Sequence, residues 1–303
     1  MEFVHKSVLF DEAVDSLNIN SNKIFLDGTA GGGGHSREIA KSAKRLIAVD
    51  QDPDAIAVLH ERLGSLENVT IVQDNFANVK NILNELGIDA IDGMLLDLGA
   101  SSFQLDTAER GFSYHKDAPL DMRMSKHGIS ARDVVNSYSE EELADIIFRY
   151  GEEKFSRRIA HNIVLTRQNK AVETTGELVD IIKASYPKAK MRDSHPARKT
   201  FQAIRIEVNA ELDKLSQTLD SALECLNSGG RLSIITFHSL EDRMVKERFN
   251  KWANPCTCPK EFPVCVCGKK PLGKALKAVA PSEEELEENP RARSSRLRVF
   301  EKY

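Results

Sequence analysis

The residues best equipped for chemistry in this chain are four acids and a run of glycines. Asp27, Asp50 and Asp97 each end a short apolar run, and Asp74 follows another. After Asp27 stands Gly28-Thr29-Ala30-Gly31-Gly32-Gly33-Gly34, too rich in glycine to hold a strand or a helix. Without a Cβ the backbone turns sharply and lets a ligand approach the main chain. Strand, glycine turn and helix N-terminus, in that order, hold a nucleotide-like cofactor at the carboxyl edge of an open α/β sheet. A flexible link is the bland alternative. The apolar run before the turn and the periodic His35–Ala43 after it argue against that.

Two cofactors compete for the turn. A dinucleotide site carries G-x-G-x-x-G and a ribose-binding acid about 20 residues further on. S-adenosylmethionine has the same ribose diol, so Asp50 suits either. Asp27 favours the second, because a carboxylate beside the turn repels a pyrophosphate and attracts a cationic amino group and a sulfonium. Asp74 and Phe76, after the third strand, are placed to meet an adenine by hydrogen bond and ring contact. The bland reading of Asp50 is a helix cap, for which Asp52, followed by Pro53, is better placed.

These residues need a scaffold, and the pattern supplies one. Ser7 to Leu17 has helical spacing with Ser7 as N-cap. Ile24–Asp27, Arg45–Asp50, Val69–Val72 and Met94–Leu98, the last preceded by Asp92-Gly93, read as strands alternating with helices. That rhythm predicts right-handed crossovers and a parallel sheet. It then stops until Arg231–Phe237, introduced by Gly229-Gly230. The intervening stretch is helical in pattern at Glu141–Tyr150, Phe155–Gln168, Thr175–Ala184 and a long Phe201–Leu226. The expected class is α/β, an open sheet at 1–104 and 206–303 interrupted by an all-helical insertion at 105–205. A helix at Ser239–Trp252, strands at Leu276–Val279 and Arg296–Phe300, and an acidic helical turn at Ser282–Glu288 complete the chain.

Composition narrows the class. The 303 residues, 41% hydrophobic, suffice for one large core and an appended unit. No stretch approaches the roughly 20 apolar residues of a membrane span, and the N-terminus lacks a signal-peptide layout. Five cysteines, four of them within Cys256–Cys267, do not suggest a secreted disulfide framework. A cytoplasmic protein with no membrane partner is expected. The net charge of −4 gives no overall attraction to nucleic acid, so such binding must rest on local patches.

DGTAGGGGHS, LLDLGASSFQLD, ERGFSY, PLDMRM, YGEEKFSRRIA, RKTFQAIRIEVN, ITFHSLEDR and ENPRARSS together resemble the MraW family, from His5 to the C-terminus. Its members are bacterial methyltransferases acting on N4 of a decoding-centre cytidine in 16S ribosomal RNA. The resemblance implies a Rossmann-like class I methyltransferase sheet with an inserted helical, substrate-recognising domain. It implies S-adenosyl-L-methionine as cofactor and the small ribosomal subunit as partner. Cofactor contacts are implied at Gly33, Gly34, His35, Asp50, Phe76, Asp97 and Gln104, to which the charge argument adds Asp27.

A cytosine amine is a weak nucleophile because its lone pair is delocalised into the ring. Orientation and stabilisation of developing charge should therefore dominate. Many amino-methyltransferases place Asp/Asn-Pro-Pro-aromatic after the fourth strand; here the place reads Asp97-Leu98-Gly99-Ala100-Ser101-Ser102. Asp97 is either an acceptor for the amine or part of the cofactor pocket. Ser101 is a second acceptor candidate, or a cap. After the fifth strand, His238 and Asp242 are candidates to take the released proton, unless the segment only starts a helix. No cysteine stands at either strand end, which disfavours covalent attack at carbon.

Lys183–Arg205 carries seven basic residues against one acid, with Tyr186, His195 and Phe201 interleaved. Arg291, Arg293, Arg296 and Arg298 form a second cluster near the C-terminus. Lys188, Lys190, Arg192, Arg198 and Lys199 of the first cluster, and Arg291 and Arg293 of the second, are the candidate phosphate contacts. The base must also leave its stack to reach a methyl group. Cys256-x-Cys258 and Cys265-x-Cys267 bite more tightly than usual zinc spacing, and no metal is assigned. A dinucleotide-dependent oxidoreductase and a non-catalytic RNA-binding assembly factor stay open as rivals, as does a homodimer.

Overall fold

The computed structural model describes residues 7–187, 195–259 and 266–303. Its first part alternates helix and strand: α1 (Phe10–Ser16), β1 (Ile24–Asp27), α2 (Gly34–Ser42), β2 (Arg45–Asp50), α3 (Pro53–Leu63), β3 (Val69–Gln73), α4 (Val79–Glu85) and β4 (Ile91–Asp97). Asp52 caps α3 by accepting from the Asp54 amide at 3.0 Å, with Pro53 in the first turn. Helix α1 starts later than its pattern suggests. Leu9, not Ser7, precedes it, in a left-handed conformation with φ 50°, its amide held by Glu285 Oε1 at 2.7 Å. Gly93 lies inside β4 rather than before it. A Cβ there would stand 2.8 Å from the Phe25 ring, so the glycine serves packing and not a turn.

The next residues form a compact unit of their own, Ala100–Glu211, within which the expected 105–205 insertion falls. It contains α5 (Ser102–Asp106), α6 (Ala131–Ser137), α7 (Glu140–Gly151), α8 (Ser156–Asn169), α9 (Thr175–Ser185) and α10 (Ala197–Asn209). Ser101, Ser130, Ser139 and Thr174 start four of these with capping boxes, each hydroxyl taking an otherwise unpaired amide of the first turn. Leu143, Ile147, Ile159, Ile163, Leu178, Ile182, Phe201 and Ile204 build its core.

The chain continues through α11 (Glu211–Cys225), β5 (Leu226–Thr236), α12 (Ser239–Ala253), β6 (Gly273–Ala275), α13 (Glu283–Glu288) and β7 (Arg296–Lys302). The single helix expected at Phe201–Leu226 is two, because Ala210 turns left-handed at φ 49° between α10 and α11. Strand β5 begins at Leu226. The Gly229-Gly230 pair sits in a register slip between the Ile91–Leu226 and Gly93–Arg231 pairings. The strand expected at Leu276–Val279 lies earlier, at β6. Leu276 donates its amide to the Val299 carbonyl at 2.9 Å, and Val279 forms an isolated antiparallel bridge with Leu297, each amide donating to the other's carbonyl at 3.0 Å.

The seven strands of this sheet unit (residues 1–99 and 212–303) run in the order β3-β2-β1-β4-β5-β7-β6, with β7 antiparallel to its neighbours and the rest of β1–β5 parallel. Successive strand side chains face opposite ways. Leu26, Ile47, Leu96, Ile234 and Phe300 enter one core with α4, α11 and α12. Phe25, Leu46, Leu95, Ile235 and Val299 enter another with α1 and α2. Burial on both faces is why these strands read as continuous apolar runs rather than alternating ones. The connection order reverses between β1 and β4. In an open α/β sheet a ligand binds at the carboxyl ends of the strands flanking that reversal.

Candidate active site

The reversal brings Asp27 and Asp97 side by side at the ends of β1 and β4. Asp27 is 1% exposed. Its Oδ2 accepts the Ser36 hydroxyl at 2.7 Å and its Oδ1 the Thr29 amide at 3.2 Å. Thr29 in turn accepts the Asp97 amide on its hydroxyl at 2.6 Å, tying the glycine turn to β4. Asp50, at the end of β2, accepts the Gly31 and Asp52 amides, both at 2.8 Å. Asp74 bonds the side chain of Asn78 at 2.7 Å, and Phe76 starts a short 3-10 turn beside Gly28. A Cβ on Gly28 would meet Leu96 Cδ2 at 2.6 Å and Phe76 Cβ at 2.9 Å, so only glycine fits. Gly33 has φ 82° and precedes α2, whose first residues are Gly34, His35 and Ser36.

The electrostatics are unusual for a cluster of acids. Burial raises the pKa of Asp97 to about 8, with the charges of Asp27 and Glu241 adding to it. Burial likewise takes Asp27 up to about 6 against the lowering effect of its Ser36 and Thr29 bonds. Asp50 is raised too, chiefly by burial. His35, stacked on Phe10 with ring centroids 5.2 Å apart, is pushed by burial down to about 4 and is neutral. Its Nδ1 lies 3.9 Å from Asp97 Oδ2, too far for a hydrogen bond, and an uncharged ring makes no ion pair. Asp97 Oδ1 and His35 Nε2 are buried and have no hydrogen-bond partner among the described residues. A cationic group set against such a cluster would allow both carboxyls to ionise.

Among the other expected site residues, the structure sets His238 at the N-cap of α12. Its Nδ1 accepts the Glu241 amide at 3.4 Å, while the buried Glu241 carboxylate accepts from the Phe237 and His238 amides. The His238 Nε2 is 3.1 Å from Glu241 Oε1 without the alignment of a hydrogen bond. Asp242 does not suit the proton-accepting role expected for it. Burial alone would raise its pKa, but Arg298, bonded at 2.7 and 2.9 Å, holds the carboxyl below its ordinary value. Ser101 spends its hydroxyl as the α5 cap, accepting the Gln104 amide at 3.2 Å. Gln104 is buried in the same box, its Oε1 accepting the Ser101 amide at 3.0 Å. The sequence reading missed Thr29, Ser36 and Glu241. A hydroxyl inside a glycine turn, and another in the helix turn facing a strand-end acid, were the available signals for the first two.

The MraW methylase family model matches residues 2–303. The chain belongs to the MraW methylase family. Ribosomal RNA small subunit methyltransferase H 2 of Agathobacter rectalis is 56% identical, over all of this chain and 99% of its own length. Ribosomal RNA small subunit methyltransferase H of Clostridium botulinum is likewise 56% identical over the whole of both chains. A solved rRNA methylase of Streptococcus thermophilus covers 97% of this chain and 93% of its own, at 12% identity and a TM-score of 0.43, too distant to bear on the site.

A MraW methylase with this class I sheet draws its methyl group from S-adenosylmethionine, and the residues fit that donor. The glycine turn leaves main chain where a Cβ would intrude, and the unpartnered buried carboxylate oxygen suits a cationic ligand. The basic residues divide. Arg198 and Lys199 are exposed on α10, with Lys199 bonded to the Glu152 carbonyl at 2.8 Å; Arg291 and Arg293 are exposed in the turn Pro290–Ser294. Lys188, Lys190 and Arg192 lie outside the described residues. Among the described residues no helix is long and apolar enough to cross a membrane.

Proposed function

We propose that this chain methylates the exocyclic N4 of a cytidine in the RNA of the small ribosomal subunit, in the cytoplasm, using S-adenosylmethionine. The observation that carries the donor half of this reading is the raised, unpartnered Asp97 carboxyl beside Asp27 at the β1/β4 reversal. The RNA half rests on family membership, on the names of the relatives and on the exposed arginines.

When bound, the donor supplies an electrophilic methyl on a cationic sulfur. Asp50 would accept hydrogen bonds from the ribose hydroxyls on lone pairs that its backbone amide partners leave free. Gly33, Gly34 and His35 offer main chain at the start of α2, and Phe76 offers a ring face to the adenine. Asp27 and Asp97 lower the energy of the positive end. Asp97 also accepts an amine proton in a hydrogen bond, which returns electron density to the nitrogen and balances its developing charge. His238, held by the Glu241 box, orients the base. The helical unit recognises the surrounding RNA.

The test is transfer of radiolabelled methyl to small subunits from cells lacking this modification, followed by nucleoside mass spectrometry. N4-methylcytidine is the expected product. Label on another atom, or no transfer, overturns the reading, as does full activity in a variant with alanine at both Asp97 and His238.

A further inference from the structure

Of the five cysteines, Cys225 belongs to the sheet core, whereas Cys256, Cys258 and Cys267 stand in the connection between α12 and β6. That connection leaves and returns at one point, where the Leu272 amide donates to the Trp252 carbonyl at 2.9 Å. It has no strand or helix of its own among the described residues, and its surface is mostly exposed. Yet the three Sγ atoms lie within 4.8 Å of one another, although Cys267 stands well apart from the first pair in sequence.

We propose that Cys256, Cys258 and Cys267 bind a structural zinc ion, a function separate from methyl transfer. The separation of Cys256 and Cys267 Sγ is 3.8 Å. A disulfide requires about 2.05 Å. Two sulfurs bound to one tetrahedral zinc at about 2.3 Å each stand about 3.8 Å apart. The Val266 amide donates to Cys258 Sγ at 3.3 Å, the outer-shell support that a metal-bound thiolate uses. Soft sulfur ligands select zinc over magnesium or calcium. The physical need is also visible: the described residues of this connection are mostly exposed, and a metal supplies a cross-link that their packing does not. The sequence reading assigned no metal because C-x-C spacing is tight; the juxtaposition of Cys267 with the first pair is what changes that. Cys265 lies outside the described residues and is not counted in the site.

The experiment measures metal in the full-length, untagged protein purified under reducing conditions without chelator. About one zinc per chain is expected by mass spectrometry of the elements. Replacing it with cobalt(II) should give thiolate charge-transfer absorption and the intense visible bands of a tetrahedral site. Cys256→Ser, Cys258→Ser and Cys267→Ser should each weaken zinc binding by more than the 10–100-fold typical of an outer-shell loss, with the far-ultraviolet circular dichroism of the rest of the chain unchanged. The proposal is overturned by metal-free protein lacking the cobalt spectrum. A mass lowered by the two hydrogens of a disulfide, iron in place of zinc, or a folded serine variant that keeps full affinity overturns it equally.

Discussion

At the scale of single residues, Asp97 has the most to answer for. Its pKa of about 8 in the folded chain stands against an ordinary 3.8, so the folded state keeps a proton that the unfolded chain has released. Stability from this group is therefore fully present below pH 4 and is lost as pH climbs toward 8. Asp97→Asn removes that loss. Without donor, the variant should melt above the parent at pH 8, by on the order of 1 kcal/mol or about 2–4 °C, and match it near pH 4. Scanning calorimetry at both values checks the sign; an unchanged or lower melting point at pH 8 contradicts it. The same proton should appear when S-adenosylmethionine binds at pH 7, because the cation draws the carboxyl into its ionised form. Calorimetric titrations in two buffers of different ionisation enthalpy would register its release, with less for S-adenosylhomocysteine, whose sulfur carries no charge. The sequence located Asp27, Asp50 and Asp97 because strand-end acids beside a glycine turn are a local pattern. It gave no sign of the protonation of Asp97, which depends on burial and on Glu241, distant in sequence.

Elements were legible wherever one force acted along the chain. The strands of the sheet read clearly because both faces are buried, and α3 because Asp52-Pro53 marks its start. The break at Ala210 was hidden, since the apolar spacing of Phe201–Leu226 continues through it and no glycine or proline announces it. Alanine at φ 49° pays a left-handed penalty, which is about 1–2 kcal/mol. Ala210→Gly should therefore raise the thermal stability of the helical unit by up to about 1 kcal/mol; a fall would mean that the methyl group packs. The glycine turn permits a sharper comparison. Gly28→Ala forces a Cβ onto Leu96 and Phe76 and should cost about 1–3 kcal/mol. Gly31 has φ 51° but open space, its nearest contact being Thr29 O at 3.8 Å, so Gly31→Ala should cost only about 1–2 kcal/mol, by strain alone. Both should weaken donor binding, and denaturant melts of the two variants separate the causes.

For the whole molecule, the decisive clue was an interruption. More than a hundred residues separate the fourth and fifth strand patterns in the sequence, and Ala100–Glu211 is a compact unit with its own core among the described residues. What sequence could not supply was the partner, because a net charge of −4 argues against nucleic acid unless basic residues are gathered locally. Arg291 and Arg293 are exposed in one short turn, while Arg298, which seemed part of the same cluster, is spent on Asp242. The cluster for phosphate is thus smaller than the sequence suggested. Each phosphate contact releases counterions, and the logarithm of affinity falls with that of salt by roughly one per contact. Binding to small-subunit RNA should therefore weaken steeply with salt, and Arg291→Gln with Arg293→Gln should flatten the slope by about 2. Arg298→Gln, by contrast, should leave the slope unchanged and lower stability by freeing Asp242. Filter binding across a salt series distinguishes the two sets: equal slopes for parent and double variant would remove these arginines from the RNA surface.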